Sequence, residues 1–181
     1  MKTLRWMVAV LLMMMGPAVA TRAADKDVAK LKPEVEQSLE AFKKADSSLD
    51  PLVSAAAGYA LFPNAGKGGF VLGGAHGAGL VYEKGGILIG SAKLSQFSVG
   101  AQIGGQAFAE LILFESAEAL TRFKESRFEM GANLSAVAAA EGKAKTAKYN
   151  EGVMVFTRPL KGLMAEASVG GQKFTFQPLA P

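Results

Sequence analysis

Residues 58–114 read GYALFPNAGKGGFVLGGAHGAGLVYEKGGILIGSAKLSQFSVGAQIGGQAFAELILF, and this stretch decides the fold class. Glycine stands at 66, 68, 69, 73, 74, 77, 79, 85, 86, 90, 100, 104 and 105, between short runs of Val, Ile, Leu and Phe. Glycine disfavours helix, and inside a strand it marks a bulge, a bend or a close backbone approach. The tract therefore predicts a tightly bent sheet wrapped around something apolar. That suits a binding protein better than a catalyst.

Working outward, strands are expected at 59–62, 68–74, 77–83, 87–95, 97–103 and 106–114, with a turn at Glu83-Lys84-Gly85-Gly86. In FSVGAQI, Phe97, Val99, Ala101 and Ile103 alternate with Ser98, Gly100 and Gln102, the pattern of a strand with one buried face. Ser116 reads as the cap of a helix, AEALTRFKES, with Leu120 and Phe123 on one side. Residues 127–140 fit strand or helix equally, and EGKAKTAKYNEG reads as a polar loop. GVMVFTRP, GLMAEASV and KFTFQ complete the strands.

Upstream, Val28, Leu31, Val35, Leu39 and Phe42 recur three or four apart, the apolar stripe of a helix over 25–49 that packs on the sheet. Pro33 is expected in its first turn. Asp50-Pro51 reads as the cap and first residue of a second, short helix that stops at Gly58. Strand runs with helices at the start and in one insertion define an α+β class. The expected architecture is a strongly curved antiparallel sheet, with closure into a small barrel as one outcome, and with the N-terminal helices and one inserted helix packed on it.

Residues 1–20 read as a signal peptide: Lys2 and Arg5 precede the short apolar stretch WMVAVLLMMM, and Ala18-Val19-Ala20 supplies a cleavage pattern. The apolar stretch is shorter than the roughly 20 residues of a spanning helix. Residues 21–181 then form a single domain carrying 18 basic and 16 acidic residues. That near-neutral balance, without a basic stripe interleaved with aromatics, argues against nucleic acid. Cysteine is absent, which removes thiol nucleophiles and thiolate metal sites. The leader style points to a bacterial periplasm, peripheral to the inner or outer membrane.

Catalytic readings find little support. Asn64-Ala-Gly66-Lys67-Gly68-Gly69 misses the phosphate-loop spacing, and Tyr82 stands where the dinucleotide fingerprint of Gly77-Ala-Gly79 needs its third glycine. His76 is the only histidine. A triad with Ser91, Ser95 or Ser98 has no nucleophile elbow, and every Asp lies within residues 25–50. Glu110 interrupts the apolar run AFAELILF, so it either points into a cavity or pairs with a buried base. Glu166 and Arg158 pose the same question on later strands. A hydrolase using Glu110 and Glu166 would need a sugar cleft lined by Trp and Tyr, and residues 21–181 hold no Trp. The same scarcity tells against an outer-membrane barrel with aromatic girdles. No enzyme is expected, and no metal.

The ordered motifs resemble the SYLF-domain family, in its bacterial exported branch. A short helix leads into Ala55-Ala-Ala-Gly58-Tyr-Ala60-Leu-Phe62-Pro63, followed by Lys67-Gly-Gly69-Phe70-Val-Leu-Gly73-Gly74-Ala-His-Gly77-Ala-Gly79. Gly100-Ala-Gln102-Ile-Gly104, then Glu110, Ala119-Leu120 and Phe123, and finally Lys161-Gly-Leu163 through Ser168 continue the series. The resemblance covers about residues 39–176; it departs at Glu110, where many members have Asp. It implies an exported, non-catalytic phospholipid-binding module at the envelope membrane surface, with no cofactor beyond a bound phospholipid. Under that reading Lys67, Arg158 and Lys161 contact the head group, while Phe70, Phe97, Phe156 and Glu110 line the lipid cavity. The alternative is a structural or stress-related envelope protein without a specific lipid site.

Overall fold

The computed structural model describes residues 16–67, 74–97, 107–126, 130, 136–161 and 171–179; of 16–27, 67, 74, 75, 97 and 161 it describes the backbone only. Helix α1 (Gly16–Ala45) and helix α2 (Leu49–Ala55) precede strands β1 (Gly58–Lys67), β2 (Gly74–Glu83), β3 (Ile87–Phe97) and β4 (Ala107–Phe114). Helix α3 (Ala117–Lys124), the two-residue strand β5 (Val137–Ala138), a short 3-10 turn (Ala144–Thr146), β6 (Val153–Lys161) and β7 (Gln172–Pro178) follow. The seven strands form one sheet in the order β5-β6-β4-β1-β2-β3-β7. All pairs are antiparallel except β5 with β6, so the sheet is mixed rather than wholly antiparallel.

The sheet is not closed into a barrel. Its two edges, β5 and β7, do not pair. The outer edge of β7 is instead met by the chain that follows α3: Met130 N–H donates to Gln172 C=O at 3.0 Å, and Gly171 N–H donates to Met130 C=O at 2.9 Å. Phe176 N–H donates to the Ser126 hydroxyl at 3.1 Å. These contacts satisfy edge groups that closure would otherwise have had to pair.

Curvature is nonetheless strong. β1 and β7 are three strands apart, yet the rings of Phe62 and Phe174 lie 5.6 Å centre to centre. Along a flat sheet that separation would be roughly 14 Å between backbones. Gly79 shows how the bend is accommodated: a Cβ there would stand 2.5 Å from Leu61 C=O and 2.6 Å from the Phe62 ring. The ring occupies the space that a side chain on β2 would need.

Both faces are buried. The inner face carries Ala60, Phe62, Val81, Leu94, Ile112, Phe114, Val155 and Phe174, packed with Leu120 and Phe123 of α3. The outer face carries Tyr59, Leu61, Leu80, Leu111, Leu113 and Phe156 beneath Val35 and Phe42 of α1. This double burial explains why AFAELILF is apolar in both phases. The predicted stripe on α1 thus packs on the sheet.

Several local expectations shift. Pro33 lies inside α1, not in its first turn. It is exposed, as is Ala29, whose carbonyl loses its helical donor, so water can take the donor's place. Ser48, not Asp50, is the N-cap of α2, and Asp50 falls in the first turn. Gly58 does not end that helix in a left-handed conformation; it opens β1, where a Cβ would collide with Tyr82 C=O. The strand predicted at 59–62 runs on to Lys67 through a bulge between Leu61 and Asn64. The turn at 83–86 forms as read, with Gly85 and Gly86 at φ of 83° and 78°. The Ser116 cap also forms, its hydroxyl accepting from Ala119 N–H at 3.2 Å. Phe70, most of FSVGAQI and Glu166 lie outside the described residues.

Candidate functional site

One end of the sheet gathers most of the residues singled out above. β1, β3 and β6 finish there, at Lys67, Phe97 and Lys161, and β2, β4 and β7 begin there, at Gly74, Ala107 and Gln172. The connections 68–73, 98–106 and 162–170 therefore all join strands at this end, and they hold eight glycines.

Glu110 sits on β4 one turn of the pleat inward from that end, between Phe62 of β1 and Thr157 of β6 in register. It is wholly buried on the inner face. Its Oε2 accepts from Gln172 Nε2 at 2.9 Å, while Glu110 Oε1 and Gln172 Oε1 have no partner. No base pairs with it among the described residues. Burial pushes the Glu110 carboxyl up to about 8, against a smaller lowering by the Gln172 hydrogen bond. The group is therefore a neutral acid at pH 7, with a proton to donate. Thr157 and Gln96 are also buried on this face, and Gln96 is the register partner of Gln172. The arrangement is a small polar layer under the glycine-rich end of an otherwise apolar interior.

Lys67 and Lys161 flank this layer. Ala107 pairs with Gly66 on one side and with Lys161 on the other, so the two lysine backbones stand on either side of β4. Arg158 does not join them. It lies on the outer, helix-covered face, its guanidinium 5.9 Å from the centre of the Phe42 ring, with Nε buried and unpartnered. Phe156 is also on the outer face, fully buried beneath α1, and so does not share a face with Glu110. The side chains of Phe70, Phe97, Lys67 and Lys161 lie outside the described residues. His76 is exposed on β2 opposite Ser95 of β3, with no carboxylate in ion-pair reach among the described residues.

Two polar centres escape a reading of sequence alone. Gln172 shares its phase with Phe174 and Phe176, a placement that marks it as inward-facing once the strand is recognised. Asp46 sits at the end of α1 and carries no local signal. It accepts from the backbone N–H groups of Ala144 at 2.7 Å, Ser48 at 3.0 Å and Gly142 at 3.1 Å, and from the Ser48 hydroxyl. Burial pushes its carboxyl up, but these hydrogen bonds together outweigh burial and hold it below the usual range.

A curved, mixed sheet with helices on its outer face and one helix on its inner face defines an α+β domain with a polar layer at one end. Comparison with known proteins adds a family likeness over part of the chain. The model of the Ysc84 family, described as "Las17-binding protein actin regulator", matches residues 95–178, from the end of β3 to the end of β7. Beta cell expansion factor A of Aeromonas veronii is 32% identical over 82 residues, 45% of this chain and 31% of that protein. The chain thus aligns with about a third of the length of that relative. Over residues 95–178 the chain is thus similar to the SYLF (Ysc84) family. The matched segment contains Glu110, Thr157, Arg158, Lys161 and Gln172 but not Lys67.

Proposed function

We propose that this chain is an exported, non-catalytic phospholipid-binding module that acts at the bacterial envelope membrane surface. The observation that carries the reading is the pair of strand-end lysines, Lys67 and Lys161, held on either side of Ala107 at the end of the sheet where the glycine-rich connections attach. Lysine ammonium groups form charge-assisted hydrogen bonds with phosphate oxygens, the contact assigned to this end. Phe62, Phe114, Phe123 and Phe174 fill the described interior. The acyl contact is therefore assigned to the glycine-rich end rather than to the centre of the sheet. No helix among the described residues is long and apolar enough to cross a membrane. Burial of each acyl methylene contributes roughly 0.8 kcal/mol.

Native mass spectrometry of protein taken directly from the envelope tests this, because a held phospholipid appears as added mass. Lys67→Glu/Lys161→Glu should abolish that mass while leaving the fold intact. Protein that carries no lipid and ignores the double charge reversal would remove the reading. The filled interior favours a second reading, a structural envelope protein with no specific lipid site, and the same experiment separates the two.

A further inference from the structure

Residues 141–148, EGKAKTAK, connect β5 to β6 across the helix-covered face. Asp46 pins this connection to the end of α1 by accepting from Gly142 and Ala144, and the Ser47 hydroxyl donates to Glu141 at 3.0 Å. Ala144 is buried, and Ala147 packs half-buried against the outer-face cluster. With the alanines turned inward, Lys143, Lys145 and Lys148 are all exposed. Lys44, two residues before Asp46 on α1, is exposed as well. Its neighbour Lys43 is engaged by Asp50 at 2.9 Å and Glu40 at 3.7 Å. The other four lysines form no ion pair among the described residues. The single acid of the connection, Glu141, accepts from the Ser47 hydroxyl and keeps its charge, and the three lysines of the connection outnumber it.

We infer that this pinned turn, with Lys44 beside it, is a docking surface for an anionic lipid bilayer, separate from the glycine-rich end. Lysines are strongly hydrated point charges that favour a diffuse array of phosphates over the edges of bases. Tyr149, the aromatic nearest in sequence, packs half-buried against the outer-face cluster, so it offers no open ring on which a nucleobase could stack. The buried carboxylate of Asp46 fixes the turn before binding, which lowers the ordering cost of the contact. The inference extends the membrane role proposed above but uses different residues.

The test is co-sedimentation of the full chain with vesicles of mixed phosphatidylglycerol and phosphatidylcholine, against vesicles of phosphatidylcholine alone. Wild-type protein should sediment only with the anionic vesicles, and less so as salt is raised. Lys143→Gln/Lys145→Gln/Lys148→Gln should lower that partitioning by roughly 100-fold, since each lysine near an anionic leaflet contributes about fivefold. Glu at the same three positions should give a still larger loss, and thermal unfolding should be unchanged in both. A triple variant that still carries phospholipid in native mass spectrometry but no longer sediments isolates this surface. Unchanged sedimentation of the triple variant overturns the inference, whatever becomes of the lipid-holding site. Tighter association of the wild-type chain with duplex DNA than with anionic vesicles at equal salt also overturns it.

Discussion

Glu110 on β4 and Gln172 on β7 are hydrogen-bonded at 2.9 Å although four strand spacings separate them in the sheet. Laid flat, that interval would be roughly 19 Å. The bond exists because the sheet curls until its inner face meets itself. Each partner keeps one oxygen without a hydrogen-bond partner.

This pair makes stability fall as pH rises through neutrality. The folded-state value of about 8 lies above the ordinary 4.5 of the group. Between these values the unfolded chain releases the proton while the folded chain keeps it. The contribution of the neutral acid is thus complete below about 4.5 and is lost progressively up to about 8. Glu110→Gln, which cannot ionise, should flatten the decline, with a slope difference of up to about 1.4 kcal/mol per pH unit. Urea midpoints at pH 5 and pH 8 for both proteins check this; parallel curves would refute it.

Asp46 should act with the opposite sign. Its folded value is depressed, so its contribution is present above the ordinary aspartate range and disappears as pH falls through the folded value. Asp46→Ala leaves the Gly142 and Ala144 N–H groups without their acceptor and should cost about 1–3 kcal/mol at pH 7. Hydrogen exchange should report the loss first at Gly142 and Ala144. Unaltered protection there would show that the pin does not hold the turn.

Phe174 touches both Phe62 and Phe123, at centroid distances of 5.6 and 5.2 Å, and so ties β7 to β1 and to α3. Phe174→Ala should destabilise by about 3–5 kcal/mol. Ile87 is 61% exposed in the hairpin between β2 and β3, and Ile87→Ser should stay within about 0.5 kcal/mol of wild type. Thermal melts of the two variants provide the comparison, and equal shifts would contradict the packing described.

Gly79→Val places branched carbons where the Phe62 ring and Leu61 carbonyl already lie. A loss of about 1–3 kcal/mol or more is expected from overpacking. The double variant Gly79→Val/Phe62→Ala should recover part of that loss relative to the sum of the single changes. Strict additivity in a double-mutant cycle would mean that the ring and the glycine are not coupled.

Local signals were legible wherever the cause lies within a few residues. The stripe from Val28 to Phe42 needed only helical spacing, the turn at 83–86 needed only its two glycines, and the Ser116 cap needed only the N–H of Ala119. Glu110 stood out as a carboxylate in an apolar run, and its burial follows from that context. Its partner did not, because Gln172 is 62 residues away and no spacing rule reaches that far.

Chain chemistry by itself determined the α+β class, the glycine-rich bend and the presence of one buried acid. Only the tertiary structure decided that the edges stay apart, that Arg158 turns to the helix-covered face and that Asp46 holds a lysine-bearing turn. Arg158 follows Thr157, the register partner of Glu110, and alternation along a strand sends it to the opposite side. Side-chain periodicity is written residue by residue, whereas register and curvature arise from the sum of contacts between distant segments.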